Sequence, residues 1–146
     1  MKPLNSIDGH TVPVPWDWWT SDGTRLRVVP DGYLLESGDL DLYVEVQICP
    51  SAHIQRVPSG RSYLMRPDDV PGLVAGLTDR TAWTTPGTGE GLTVRPEGDG
   101  MRLVYALYAQ GNLRDYSMVV PEEQRLPLVS ALSSALELTR AWVEAV

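Results

Sequence analysis

The chain has 146 residues, 42% hydrophobic and 21% charged, with a formal net charge of −7 and a sequence pI near 4.7. That length suits one ordinary domain or two very small units sharing a core, and the apolar share excludes wholesale disorder. No stretch approaches the roughly 18 consecutive apolar residues of a membrane span, and the acidic balance speaks against a broad phosphate-gripping surface, although it leaves room for a local basic patch.

Residues 1–15 read as an extended N-terminal segment. Met1-Lys2-Pro3-Leu4-Asn5-Ser6 carries one positive charge but no following apolar run, so it does not read as a secretory signal. Cys49 is the only cysteine, which excludes an internal disulfide framework. Together these set a reducing cytoplasm as the expected compartment. Lys2 is the only lysine and Phe is absent, so Arg carries the remaining positive charge and Trp, Tyr, Leu and Val the apolar load.

In Trp16-Asp17-Trp18-Trp19, a strand would turn Trp16 and Trp18 to one side and Trp19 to the other. Leu26 and Val28 followed by Pro30-Asp31-Gly32 predict a short strand and a tight reversal, with Tyr33, Leu34 and Leu35 opening the next strand. Over residues 41–48, Leu42, Val44, Val46 and Ile48 alternate with Tyr43, Glu45 and Gln47, the period of a half-buried strand. Residues 61–65 form a closing strand. Pro67-Asp68-Asp69 suits a helix start, but Pro71 would break a helix already under way, so the regular helix begins near Val70. Residues 84–91 read as a flexible linker by composition. Residues 103–108 are more continuously apolar and predict a more central strand, and residues 114–119 close the set. Pro121-Glu122-Glu123 resembles the first helix start. Pro127 moves the expected start of the last helix to Leu126, and it runs to Ala145. Its stripe is Val129, Leu132, Leu136 and Val143, flanked by Leu128, Ala135 and Trp142.

These elements occur twice in the same order. Trp19-Thr20-Ser21-Asp22-Gly23-Thr24 returns as Trp83-Thr84-Thr85-Pro86-Gly87-Thr88, and Leu26-x-Val28-x-Pro30-Asp31-Gly32 as Leu92-x-Val94-x-Pro96-Glu97-Gly98. Tyr63-Leu64-Met65 returns as Tyr116-Ser117-Met118, and Leu73-Val74 with Leu77 as Leu128-Val129 with Leu132. Repeats of this kind are read before single elements. The expected fold is α+β: a tandem duplication of a unit of three to four antiparallel strands and a C-terminal helix. The units are related by a pseudo-twofold, with the helices packed on one face of the sheet or sheets. The expected units are residues 16–80 and 81–146, joined in one compact domain.

Chemistry-bearing constellations are sparse. Cys49 and His53 lie four residues apart, and a cysteine needs a nearby base to become a good nucleophile; a loop Cys and a loop His with no shared task is the plainer reading. A metal site needs more ligands than this pair offers. Ser37-Gly38-Asp39-Leu40-Asp41 is loosely similar to a calcium loop but lacks the glycine and terminal glutamate spacing. No catalytic residue, metal or cofactor is expected. Two binding surfaces are candidates. Trp16, Trp18 and Trp19, with Tyr43, suit a protein partner, because Trp is enriched at interface hot spots; on the plainer reading Trp19 is the core residue of its repeat, Trp16 caps the sheet edge and Trp18 is the most exposed. Arg25, Arg27, Arg61 and Arg66 with Tyr63 would make an aromatic and basic surface for a nucleic acid.

Val119-Val120-Pro121-Glu122-Glu123 before the last helix, with the repeated strands-then-helix plan, resembles the Whirly and positive-cofactor class of single-stranded-DNA binders. That resemblance implies a sheet face that binds single strands. Gly100-Met101-Arg102-Leu103-Val104-Tyr105 and the helix ending Ala141-Trp142-Val143-Glu144 resemble small bacterial proteins of secretion-chaperone-like fold, which bind other proteins. The functional expectation is a non-enzymatic intracellular protein-binding or regulatory module acting through the sheet and its Trp-rich edge. Its partner would be a protein, and the chain itself a monomer or homodimer. The alternatives are a single-stranded nucleic-acid-binding protein of Whirly-like architecture, whose binding weakens steeply with salt, and an enzyme with an unrecognised site.

Overall fold

In a computed structural model of the chain, the structure describes residues 2–3, 15–49, 62–87, 89–109 and 112–145. Among the described residues nine strands form two antiparallel sheets. In the first, β1 (Lys2–Pro3), β2 (Trp16–Trp19), β3 (Arg25–Leu34), β4 (Leu40–Cys49) and β5 (Ser62–Met65) run with β3 and β4 at the centre. The second has the order β6 (Trp83–Thr84), β7 (Gly91–Glu97), β8 (Gly100–Ala109), β9 (Asn112–Val120). A single 3-10 turn, Pro67–Asp69, leads into α1 (Val70–Asp79), and α2 (Glu122–Ala145) is the last element. Two similar sheet units, each followed by a helix, match the expected α+β duplication. No helix among the described residues is long and apolar enough to cross a membrane.

The alternating positions explain the layers. Leu26 and Val28 of β3 and Val44, Val46 and Ile48 of β4 are buried on the helix-facing side, and Leu92, Val94, Leu103 and Met118 do the same in the second sheet. All of them join one core with Leu73 and Leu77 of α1 and Leu128, Leu132 and Leu136 of α2. The helices are exchanged between the units. α1, which follows the first sheet, packs on β6 and β7 of the second, while α2, which follows the second, packs chiefly on β3 and β4 of the first.

One corner pins the exchange. Arg125 in the first turns of α2 donates from Nη1 to the carbonyl oxygens of Leu77 and Thr78, at 3.0 Å each, which satisfies carbonyls at the end of α1. The Arg125 fork also grips Glu122 at 2.8 and 2.9 Å. Arg80 caps α1 in the left-handed region, φ 56°, a conformation that costs a side chain energy. Its guanidinium offsets that cost by donating to Asp99 O at 2.6 Å and Glu122 Oε2 at 2.8 Å.

Three expectations change. Pro30-Asp31-Gly32 is not a reversal: β3 runs straight through to Leu34, and the turn falls at Leu35–Asp39 with Gly38 at φ 89°. Pro30 is tolerated mid-strand because β2 pairs with Arg25–Val28 and β1 with Tyr33 and Leu34. Among the described residues no strand pairs with Pro30 on that side. The equivalent segment of the second unit does reverse, at Gly98 and Asp99. The last helix begins at Glu122 and runs through Pro127, an exposed position where only one backbone bond is lost. Its buried stripe is Leu128, Leu132, Ala135, Leu136, Thr139 and Trp142, so the helix is rotated from the expected face and Val143 is 57% exposed. Finally, the expected linker at residues 84–91 begins in β6 with Thr84 and ends in β7 with Gly91. Thr85 is buried there, its Oγ1 accepting the Leu92 N–H at 3.0 Å.

Candidate nucleic-acid interface

The face of each sheet turned away from the helices carries the polar half of the alternation. On the first sheet the β2–β3 register sets Trp19 opposite Arg25 and Asp17 opposite Arg27. Arg27 is consumed by Asp17, with Nε–Oδ1 at 2.7 Å and Nη2–Oδ2 at 3.1 Å. This pair raises the Arg27 pKa above its ordinary value. Arg25 meets no carboxylate among the described residues. Its guanidinium carbon lies 5.6 Å from the centre of the Trp19 ring, a cation–π arrangement. Its Nη2 donates to Gln47 Oε1. Gln47 is only 5% exposed and donates to Ser62 Oγ at 3.0 Å, and Ser62 donates to Glu45 at 2.7 Å. A short relay therefore holds the Arg25 plane in place.

The three indoles separate. Trp16 and Trp18 turn inward and pack against the core, whereas Trp19 is 50% exposed. This reverses the expectation that Trp19 is the core residue and Trp18 the exposed one. β2 takes its phase from pairing with Leu26 and Val28, which puts Trp18 and Trp16 on the buried side. Trp16 lines an apolar groove of about 540 Å³ against Ser130, Ala131 and Ser134 of α2.

Tyr43 stands further along the outer face, tilted against Tyr33 with ring centres 6.2 Å apart. Burial first, and then the hydrogen bond with Tyr33, push its phenol pKa up. Tyr63 of β5 lies on the opposite, core side, where the two sheets meet. It lies tilted against Tyr105 with ring centres 5.7 Å apart, and Tyr105 against Tyr116 at 6.2 Å. Tyr105 donates to Glu90 at 2.5 Å; burial and that bond raise its pKa. Arg66 is exposed and shares with Arg140 a groove of about 740 Å³ that also includes Leu64 and Val143, away from Trp19 and Arg25. Arg61, His10 and His53 lie outside the described residues. Cys49 is buried at the end of β4. Among the described residues no three His, Cys, Asp or Glu side chains are placed to hold a metal ion.

On the second sheet, Arg102 is held by Glu97 at 2.9 and 2.7 Å, which also keeps the Glu97 carboxyl below its usual range. Arg95, opposite Arg102 in the register, is exposed and has no carboxylate bonded to it among the described residues.

No family profile and no curated protein matches the chain. Solved structures do. WHY1 from Arabidopsis thaliana, a Whirly protein, superposes with a TM-score of 0.63 at 18% identity, covering 89% of this chain and 92% of its own. The plant transcriptional regulator PBF-2 gives 0.64 at 17% identity, covering 92% and 86%. A guide-RNA-binding protein, in a complex bound to a guide RNA, gives 0.61 at 15% identity, covering 90% and 94%. At these identities the shared property is the fold. It overturns the expectation of a protein-binding or regulatory module with a protein partner. The folds alike over nine-tenths of this chain are those of Whirly and guide-RNA-binding proteins, which favours the nucleic-acid alternative.

Sequence reasoning named Trp19 and Arg25 but set them on rival surfaces, and only the β2–β3 register joins them. Gln47 and Ser62 were missed, because polar residues at outward positions of a strand look like ordinary solvated ones. Tyr105 and Tyr116 carried a signal, since Tyr116 is the repeat equivalent of Tyr63.

Proposed function

We propose that the protein binds single-stranded nucleic acid on its sheets, without turnover. The observation that carries this reading is the fold shared along nearly the whole chain with a guide-RNA-binding protein and with Whirly proteins. Two features of the chain itself support it. Trp19 on Arg25 offers an aromatic and cationic surface in the open, and the residue types needed for base stacking recur on the same outer face at Tyr33 and Tyr43. Net acidity is compatible with such binding, because stacking on π faces does not require charge.

The direct test is fluorescence anisotropy of labelled single-stranded DNA and RNA titrated with the purified protein at low salt. Saturable binding of either strand type is the expected result. Absence of binding to both, from a protein shown to be folded by circular dichroism, would remove the reading.

A further inference from the structure

We infer that Trp19 and Arg25 together form a rigid base-stacking platform that recognises unpaired bases with few phosphate contacts, so that binding depends only weakly on salt. The inference rests on the nucleic-acid reading above and specifies the chemistry of its site.

Trp19 is the one indole of its cluster turned away from the core, half of its surface open. It lies on β2, which pairs with β3 at the side of the first sheet, and its ring faces outward beside Arg25. Arg25 backs it, and the Gln47–Ser62–Glu45 relay fixes Arg25 before any ligand arrives. Ordering a long side chain in advance lowers the entropy lost on binding. The pair therefore presents a preformed plane on which a base can stack. Every base has a π face, so the platform accepts all four with modest preference.

Charge then determines how the backbone is treated. Arg27 is occupied by Asp17, Arg102 by Glu97, and Arg80 and Arg125 by Glu122. Among the sheet residues whose side chains are described, Arg25 and Arg95 carry a guanidinium without a carboxylate bonded to it. A single strand loses about 0.7 in the slope of log K against log salt per phosphate neutralised, so two contacts give a slope of about −1.4. This is much shallower than the steep dependence expected of a charge-driven binder. A duplex hides its base faces and brings a denser row of phosphates to a chain of net charge −7, so it gains nothing from the platform.

The full-length chain is titrated against a fluorescein-labelled single strand and its duplex between about 50 and 200 mM salt. The expected slope is near −1.4 for the single strand, with the duplex bound far more weakly. Trp19→Ala weakens single-strand binding roughly 5- to 140-fold, the equivalent of about 1–3 kcal/mol of stacking, and Trp19→Phe restores most of it. Arg25→Lys keeps the charge but loses the plane and also weakens binding, whereas Arg27→Ala does not. Melting curves establish that each variant is folded. A slope of about −4 or steeper, equal affinity for the duplex, or wild-type binding by Trp19→Ala overturns the platform while leaving nucleic-acid binding intact. If the wild type binds neither strand nor duplex at the lowest salt, both the platform and the reading beneath it fail.

Discussion

Gly72 lies in the first turns of α1, where alanine ordinarily stabilises a helix by about 1 kcal/mol. Here the opposite sign is expected. A Cβ on Gly72 would come within 2.3 Å of Trp83 Nε1, 2.6 Å of Cε2 and 2.9 Å of Cζ2. The indole of Trp83 packs against the core and is rigid, so it cannot fold away as a lysine tip would. Forcing a methyl into such a contact costs about 1–3 kcal/mol. Set against the helix gain, Gly72→Ala is expected to lose up to about 2 kcal/mol, a fall in Tm of up to about 8 °C for a chain of this size. Urea denaturation followed by circular dichroism reads the change. The same substitution in a Trp83→Leu background should recover its helical benefit, so the two positions couple strongly in a double-mutant cycle. A stabilised Gly72→Ala protein, or additive effects in the cycle, would refute the seating of Trp83 on α1. Gly76 provides an internal scale. Its added Cβ would meet Trp83 Cβ at 3.1 Å and Val94 Cγ1 at 3.3 Å, so Gly76→Ala should be milder than Gly72→Ala.

The remaining predictions concern the core, the corner and the thiol. Leu132→Ala, at a fully buried position of α2, should cost about 2–5 kcal/mol in urea unfolding. Leu126→Ala, at a residue 54% exposed, should cost under about 0.5 kcal/mol; equal costs would mean that the buried stripe is misassigned. Glu122 is held below its ordinary value of 4.5, first by Arg125 and then by Arg80. A depressed carboxyl contributes stability above its unfolded pKa and loses it as the pH falls through the folded one. The stability gap between wild type and Glu122→Gln should therefore be full at neutral pH, close on acidification below 4.5, and narrow in high salt. A gap that persists in acid would assign the effect to packing. Cys49 is 1% exposed, so its alkylation should be slow in the folded protein and accelerate with denaturant in step with unfolding; fast labelling without denaturant would contradict its burial.

Much of the fold is visible in the order of the repeated blocks, because each block carries a local physical cause. The alternation of Leu42, Val44, Val46 and Ile48 forces a half-buried strand, and Pro67-Asp68-Asp69 gives a short turn before the helix that starts at Val70. What the sequence hides is set by distant partners. Pro30-Asp31-Gly32 has turn chemistry, yet it stays extended because it pairs with Leu42, Tyr43 and Val44 in the continuous β3–β4 ladder. The phase of Trp16–Trp19 depends on which β3 residues it opposes, and a one-residue slip exchanges every face. The candidate site follows the same rule. Trp19 and Arg25 are each conspicuous, but their contact is a matter of register. Gln47 attracts notice only once its burial beside Arg25 is seen.

The exchange of helices also determines when the protein can be finished. The first sheet is complete in sequence at Met65, yet the helix that covers β3 and β4 is α2, which ends at Ala145. At a synthesis rate of about 5–20 residues per second, roughly 80 further residues keep that apolar face waiting some 4–16 seconds on the ribosome. Folding must then close contacts between ends of the chain separated by most of its length, which slows the search for the native state. During that interval Leu26, Val28, Val44 and Val46 lack the helix that covers them in the finished fold.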